Sequence, residues 1–285
     1  MKKNKYIVAF KIILKNKIAF IGLLFVILII VVAIFAPLLA PFDPVVQNLS
    51  IRLTPPAWAK GGSIMHLLGT DDFGRDIFSR IIYGARISLM IGTISVGISL
   101  SIGLLLGVFA GYYEGFVDAF IMRIVDIMLA IPSIMLAIVI VAILGPSLYN
   151  AMIAIGIVGI PTYARLVKAT FLSEKKKDYV IASKINGSRD LRMIFAVILP
   201  NCLSSVIVQS TMGFASAVLE AAGLSFLSLG AQPPTPEWGA MLAASIDYIV
   251  TAPWLILYPG SAIFITVMSF NLLGDGLMDI LNPKI

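Results

Sequence analysis

This chain of 285 residues has one cysteine, one histidine and few charges, with Asp, Glu, Lys and Arg together making up 13% of it. Each scarcity excludes something. The lone Cys202 forms no intramolecular disulfide, and it and His66 lack the companions that a metal cluster or a nucleophile with its base requires. Cys202 sits in an apolar run and reads as a small packing residue. No segment carries Gly, four residues and then Gly-Lys-Ser/Thr, so the phosphate cradle of P-loop enzymes is missing. An ATP-driven step would need another polypeptide.

What is present is apolar sequence: 59% of residues are hydrophobic and the mean hydropathy is +1.00. This composition defines an all-α polytopic membrane protein, because a bilayer core of ~30 Å takes about 20 apolar residues in a helix that satisfies its own backbone groups. Six uncharged runs are long enough: Ala19 to Pro41, Ile87 to Tyr113, Ile127 to Pro146, Ser147 to Ala164, Met193 to Leu219, and Tyr248 to Gly274. The third and fourth meet at Leu144-Gly145-Pro146-Ser147, a tight turn that makes them an antiparallel hairpin. Ala221 to Pro236 is also uncharged but short and rich in Gly and Pro, which suits a re-entrant or surface helix followed by a loop.

Basic residues set the expected orientation, since Lys and Arg in short loops stay cytoplasmic. Lys2, Lys3, Lys5, Lys11, Lys15 and Lys17 precede the first run with no acid among them. The loop after the fourth run carries Lys168, Lys175, Lys176, Lys177, Lys184, Arg189 and Arg192 against three acids. The segment after the fifth has Glu220, Glu237 and Asp247 and no base, and Asp43 to Arg80 balances four acids with four bases. Six spans with both termini in the cytoplasm satisfy all these placements. The expected organisation is a basic terminus at 1–18, a first span at 19–41, an extracytoplasmic segment at 42–86, a five-helix core at 87–276 and a cytosolic tail at 277–285. Within the core lie a cytosolic loop at 168–192 and an outer loop at 220–247. A cleaved signal peptide is the alternative for the first run, disfavoured by a length beyond the usual 7 to 15 residues and by Pro37 and Pro41 at its end. The net charge of +6 faces anionic lipid in this arrangement and says nothing of nucleic acid.

The polar interruption from Lys175 to Pro200 is the most informative stretch. Tyr179, Val180, Ala182 and Ile185 place apolar or small side chains at helical spacing, Gly187 permits a sharp change of direction, and Leu191 to Phe195 begins a second helix. An ordinary basic loop is the bland alternative to a knob that a partner grips. Gly103, Gly107 and Gly111 recur every four residues along one face of the second run, which favours close helix packing, although chance in a Gly-rich helix also produces such a series. Pro132, Pro161, Pro200 and Pro259 each remove a helix hydrogen bond. Arg123 and Asp126, three apart, are expected to pair, and Arg165 to reach the interface. Gln209, Ser210, Thr211 and Asn271 either line a polar path or bond helix to helix.

The spacing of the cytosolic loop resembles that of binding-protein-dependent ABC importer permeases: Glu-Ala-Ala, three residues, Gly, nine residues, Ile-x-Leu-Pro. Ala182, Gly187, Leu199 and Pro200 match; Ile181 replaces the Glu, Ser183 the second Ala and Val197 the Ile. Two longer segments resemble the C-type subunit of dipeptide, oligopeptide and nickel importers. One is Leu68-Gly69-Thr70-Asp71-Asp72-Phe73-Gly74-Arg75-Asp76, continuing to Leu89. The other is Glu220-Ala221-Ala222-Gly223-Leu224-Ser225-Phe226-Leu227, then Leu229 to Gly239. Phe270 to Leu277 with Asn282-Pro283 completes the pattern.

The resemblance implies a type I ABC importer permease fold, no enzymatic activity in this chain, and a path for short peptides, with nickel or another chelate as the alternative cargo. Implied partners are a paralogous permease in a heterodimer, two cytosolic ATPase subunits holding ATP and Mg, and an extracytoplasmic binding protein, all at a bacterial or archaeal cell membrane. Asp178, Tyr179, Ala182, Ser183, Gly187, Leu199 and Pro200 would couple to the ATPase. Glu220, Gly223, Pro233, Pro234 and Trp238 would belong to an outer loop that docks the binding protein, caps the cavity or anchors at the interface. An ion-coupled secondary transporter, the rival class, would show paired or buried carboxylates near mid-membrane or inverted repeats. Neither is evident in the sequence. A membrane-embedded enzyme would need a nucleophile with a base or a metal cluster, for which one Cys and one His are little material.

Overall fold

The computed structural model describes residues 16–281. The basic residues Lys2, Lys3, Lys5, Lys11 and Lys15, and Asn282-Pro283, lie outside them. The described chain is almost entirely helical. The main elements are α1 (Lys17–Ile34), α2 (Ile77–Tyr113), α3 (Gly115–Leu129), α4 (Ser133–Leu144), α5 (Leu148–Lys175), α6 (Asp178–Ile185), α7 (Leu199–Phe226), α8 (Trp238–Ala244) and α9 (Trp254–Leu281). A short π-helical turn, Met193–Ile198, leads into α7.

The local sequence explains where these helices start. Asn16 accepts from the amides of Ile18 and Ala19, Asp76 from Ser79 and Ser147 from Asn150, so three long helices open on side-chain caps. Pro200 follows the π-helical turn, where the Leu199 amide donates to the Ile194 carbonyl and the wider bonding accommodates the missing N–H within a helix continuous from Asp190 to Phe226. Pro161 and Pro259 sit inside continuous helices.

Five of the helical segments are long and apolar enough to cross a membrane. The third expected span is different. In place of one helix from Ile127 to Pro146, α3 and α4 meet at a 92° bend over Ala130 to Pro132. The cause is Pro132, which denies the backbone a donor and biases Ile131 away from helical geometry. At 12 residues, α4 is about 18 Å long and too short to cross by itself.

Packing between α2 and α5 shows that the bent pair must nevertheless return the chain across the bundle. Ser95 Oγ donates to the Met152 carbonyl and Ser99 Oγ to that of Gly156. Gly103 then abuts Tyr163, Gly107 abuts Val167 and Gly111 abuts Phe171. Both numbers climb together, so the two helices run parallel, and α3–α4 between them makes one crossing in the opposite sense. Five helices and one bent pair therefore make six crossings. The glycine stripe has its partner in α5: a Cβ on Gly103 or Gly107 would lie 2.6 Å from Tyr163 Cβ or 2.5 Å from the Ala164 carbonyl.

The remaining contacts place the ends. Gly276 meets Ala19 and Gly22 meets Leu273, an antiparallel pairing of α1 with α9. Phe214 stacks on Phe270 with centroids 3.9 Å apart, joining α7 to α9. The far end of α1 packs beside the start of α2, where Ile29, Ala33, Ile77 and Ala85 share one cluster. The start of α1 and the end of α9 thus lie on the same side of the bundle as α6, and residues 42–76 and 227–253 cover the opposite side.

Several expected boundaries shift. α2 starts at Ile77, ten residues before the run at Ile87, because the charges at Arg80 and Arg86 end the uncharged stretch without ending the helix. Ala221 to Phe226 form no separate helix but continue α7, and the outer loop runs from Leu227 to Glu237 before α8. α9 begins at Trp254 and continues to Leu281, past the expected end of the span.

Candidate functional site

Three features stand out as machinery: an outer cap, a central cavity and a protruding helix. The cap is built where the two longest sequence signatures meet. Asp71 accepts from the amides of Phe73 and Arg75 and pairs with the Arg75 guanidinium at 2.7 Å. Asp76 caps α2 and holds His66 Nδ1 at 2.9 Å, so His66 has a carboxylate partner and a ring neighbour in Phe42. Gly74 has a positive φ of 71° and presses against the Asn48 carbonyl so closely that a Cβ would sit 1.8 Å from it, which leaves glycine alone as a fit.

Arg80 ties this turn to the second signature. Its buried guanidinium donates to the carbonyls of Pro44 at 2.8 Å and Pro234 at 3.3 Å, and its Nε lies 3.7 Å from Asp71. Trp238 packs on Gly84 and donates to the Ile81 carbonyl, while Trp254 donates to that of Thr70. Glu237 is 2% exposed and caps α8 through the amides of Gly239 and Ala240. Burial pushes its carboxyl above the ordinary value, against those amide bonds and Ser225, which pull it down. Asp72 is raised as well, by burial first and by the neighbouring Asp71 charge second. Of the expected outer-loop residues, Pro233, Pro234 and Trp238 sit in this cap; Glu220 and Gly223 do not, being carried on α7.

The cavity, of about 370 Å³, opens where α2, α5, α7 and the α3–α4 bend converge. Ser95 and Ser99 come from the middle of α2, Thr162 and Tyr163 from α5, and Gln209, Ser216 and Glu220 from α7; Pro132 and Ser133 close one edge. Gln209 lines this cavity, and its backbone carbonyl accepts from the Tyr163 hydroxyl of α5 at 3.3 Å. Ser210 and Thr211 return their hydroxyls to their own helix, at Val206 and Val208. The cavity carboxylate that the sequence did not reveal is Glu220, which the continuation of α7 past Leu219 brings to the wall. Helical spacing supplied a signal, since Gln209, Ser216 and Glu220 recur at intervals that keep them near one face.

The protruding helix is α6, on the side away from the cap. Val180, 3% exposed, anchors it in a cluster with Val108, Val167, Phe171, Ile194 and Ile198. Tyr179 donates to Glu174 at 2.7 Å and accepts from Asn201 at 3.0 Å, linking α6 to both flanking spans. Partial burial and the Glu174 acceptor push its phenol up to about 12, so it stays a donor at any working pH. Gly187 has φ of 76° and turns the chain, with Ser183 and Ser188 hydroxyls 2.9 Å apart across the bend. Ile181, Ala182 and Ile185 remain exposed. Leu199 and Pro200 open α7 directly behind the knob.

Two expected side-chain roles change. Asp126 pairs with Arg165 at 2.7 Å, linking α3 to α5, and Arg123 has no part in it. The i,i+3 geometry was available, but Arg165 reaches the same carboxylate from the neighbouring helix. Lys168 with Asp118 and Lys175 with Glu114 repeat this α5-to-α3 linkage toward α6. Cys202 is buried in the Val180 cluster, a packing residue as its apolar run implied.

A bundle of six crossings with a parallel central pair, a mid-bundle cavity and a knob between two spans is the permease of a type I ABC importer. The fold is similar to a solved chain of the inward-facing MetNI methionine ABC transporter, with a TM-score of 0.59 and 20% identity, covering 71% of this chain and 96% of that one. The family model described as "Binding-protein-dependent transport system inner membrane component" matches residues 103–285. "N-terminal TM domain of oligopeptide transport permease C" matches residues 7–56.

The chain is 53% identical to the di/tripeptide transport system permease protein DppC of Pseudomonas aeruginosa over 270 residues, 95% of this chain and 89% of the relative. It is also 53% identical to the dipeptide permease DppC of Escherichia coli K12, covering 95% and 90% of the two chains. To the glutathione permease GsiD of Shigella flexneri it is 47% identical, covering 95% and 88%. The protein therefore belongs to the binding-protein-dependent ABC importer permeases, as a C-type subunit. Proteins of this family are membrane-embedded and work with ATPase and substrate-binding partners; they do not themselves hydrolyse ATP.

Proposed function

We propose that this chain forms, with a paralogous permease, the path by which short peptides enter the cell. Two cytosolic subunits carrying ATP and Mg drive it, and an extracytoplasmic binding protein delivers the cargo. The observation that carries the reading is 53% identity to dipeptide and di/tripeptide permeases over 95% of the chain. The polar cavity supports it: at about 370 Å³ it lies within the ~300–1,000 Å³ typical of small-molecule sites.

The coupling residues fit one mechanical role. α6, with Asp178, Tyr179, Ala182 and Ser183 on it and Gly187 behind it, docks the ATPase through its exposed Ile181, Ala182 and Ile185 face. Val180 and Tyr179 pass displacement to α5 and to α7 behind Leu199 and Pro200. The α2–α5 pair, clamped at Gly103, Gly107 and Gly111, moves as one rod. The cap around Pro233, Pro234 and Trp238 faces the binding protein. The start of α1 and the end of α9 lie on the α6 side, which the basic loop at 168–192 marks as cytoplasmic. ATPase closure then rocks the cavity from inward to outward access.

Proteoliposomes holding the four-subunit assembly and its binding protein test this. Dipeptide uptake should follow ATP with ion gradients collapsed by ionophores. Uptake that persists without ATP and follows an ion gradient would overturn the reading.

A further inference from the structure

The cavity wall carries charge of one sign only. Among the described residues that line it, Glu220 is the one with a formal charge, and no Lys, Arg or His stands with it. Its neighbours are neutral hydrogen-bonding groups: Ser95, Ser99, Thr162, Tyr163, Gln209 and Ser216. Three carboxylates toward the α6 end of the bundle each have a basic partner, Asp126 with Arg165, Asp118 with Lys168 and Glu114 with Lys175. Among the described residues Glu220 has none within ion-pair distance.

An ionisable group inside a membrane protein is expensive and marks a site where something of opposite charge is met. The structure also sets a helix end, in place of a fixed counter-ion, beside this carboxylate. Ser133, which begins α4, lies beside it on the same wall, and α4 has no side-chain cap on its first turn. The positive pole of that helix end therefore favours the anion. A helix pole attracts a carboxylate but leaves its remaining lone pairs free for an ammonium that passes by.

We propose that Glu220 receives the α-ammonium group of a peptide in transit and so makes this half of the cavity selective for a free amino terminus. The inference rests on the peptide reading above and adds to it the atom that is recognised. The neutral Gln209 is suited to the peptide amide, and no base of this wall competes for the ammonium. A transport site must release its cargo, and one charge-assisted bond without a second anion fits weak, reversible binding.

The test labels the neighbouring Ser216, one turn before Glu220 and exposed in the cavity. The assembled importer carries S216C on a C202A background, without binding protein, and is modified with a small methanethiosulfonate. A dipeptide should slow modification of this chain, whereas its N-acetyl analogue at the same concentration should not. The concentration for half-protection should rise about tenfold in E220Q, the loss of roughly one charged contact, and much less in E220D.

Equal protection by the dipeptide and its N-acetyl analogue, protection by neither, or unchanged protection in E220Q each overturns the assignment. The comparison of the two peptides requires no change at Glu220, so it decides even if E220Q fails to assemble. If the S216C importer shows ATP-dependent dipeptide uptake while protection fails to discriminate, only the ammonium assignment falls. If the unsubstituted assembly takes up no dipeptide, the transport reading itself falls.

Discussion

One methyl group, added at two glycines of the same helix, should have opposite effects. At Gly107, a Cβ would meet the Ala164 carbonyl at 2.5 Å and Val167 Cβ at 2.7 Å, against 3.4 Å for ordinary contact. The first obstacle is backbone, which no rotamer change relieves, so α2 and α5 must separate by about 0.9 Å. Parting closely packed helices forfeits contacts along the whole seam, and overpacking of this kind costs about 1–3 kcal/mol. At Gly97, two to three turns earlier on α2, a Cβ meets nothing within 4 Å. There alanine removes backbone freedom from the unfolded chain and contributes about 0.5–1 kcal/mol. The two variants should therefore differ by about 1.5–4 kcal/mol in stability. Thermal unfolding of the detergent-solubilised importer, followed by the amount of this chain remaining assembled, should rank G97A at or above the unsubstituted protein and G107A several degrees below it. Equal midpoints, or G107A the more stable, would refute the clamped α2–α5 seam.

Three further outcomes follow from the cap and the knob. Arg80→Ala strands the Pro44 and Pro234 carbonyls and should cost about 2–3 kcal/mol. Amide exchange in residues 42–52 and 227–237 would then rise by about 30-fold or more, and no change would contradict the tie. Glu237 is held above its ordinary 4.5, so the folded cap binds that proton more tightly than the unfolded chain. Its contribution is full below pH 4.5 and declines as pH rises through the shifted value. The midpoint of the unsubstituted importer relative to E237Q should accordingly fall with rising pH, and a constant difference would contradict the burial argument. Val180→Asp places an unpaired carboxylate in the cluster that seats α6, costing about 3 kcal/mol or more. Dipeptide uptake should be lost, whereas retained uptake would mean that α6 needs no firm seat.

The legible parts of this fold were those written in local composition. Long uncharged runs mark the crossings, the glycine repeat marks the clamped face of α2, and Gly187 marks the turn behind α6. Side-chain caps at Asp76 and Ser147 are equally local. What the sequence hid depends on partners far along the chain. Arg80 looks like the end of a loop until the carbonyls of Pro44 and Pro234, the latter 154 residues away, make it a buried helical residue. The same distance problem misassigned Asp126, whose partner Arg165 comes from another helix. The bend at Pro132 was ambiguous for a different reason: proline is tolerated within α5 and α9, and only packing distinguishes a break from a retained helix. Glu220 escaped because the stretch following it is rich in Gly and reads as loop, although α7 carries it into the cavity.

The central claim is that α6 is gripped by an ATP-driven motor, and Ile185 tests it most directly, being 80% exposed at the tip of that helix. With I185C on a C202A background in sealed vesicles, a short thiol cross-linker should join this chain to the ATPase subunit in an ATP-sensitive yield. Absence of that product while dipeptide uptake persists, or labelling of I185C from the outer face, would contradict the account.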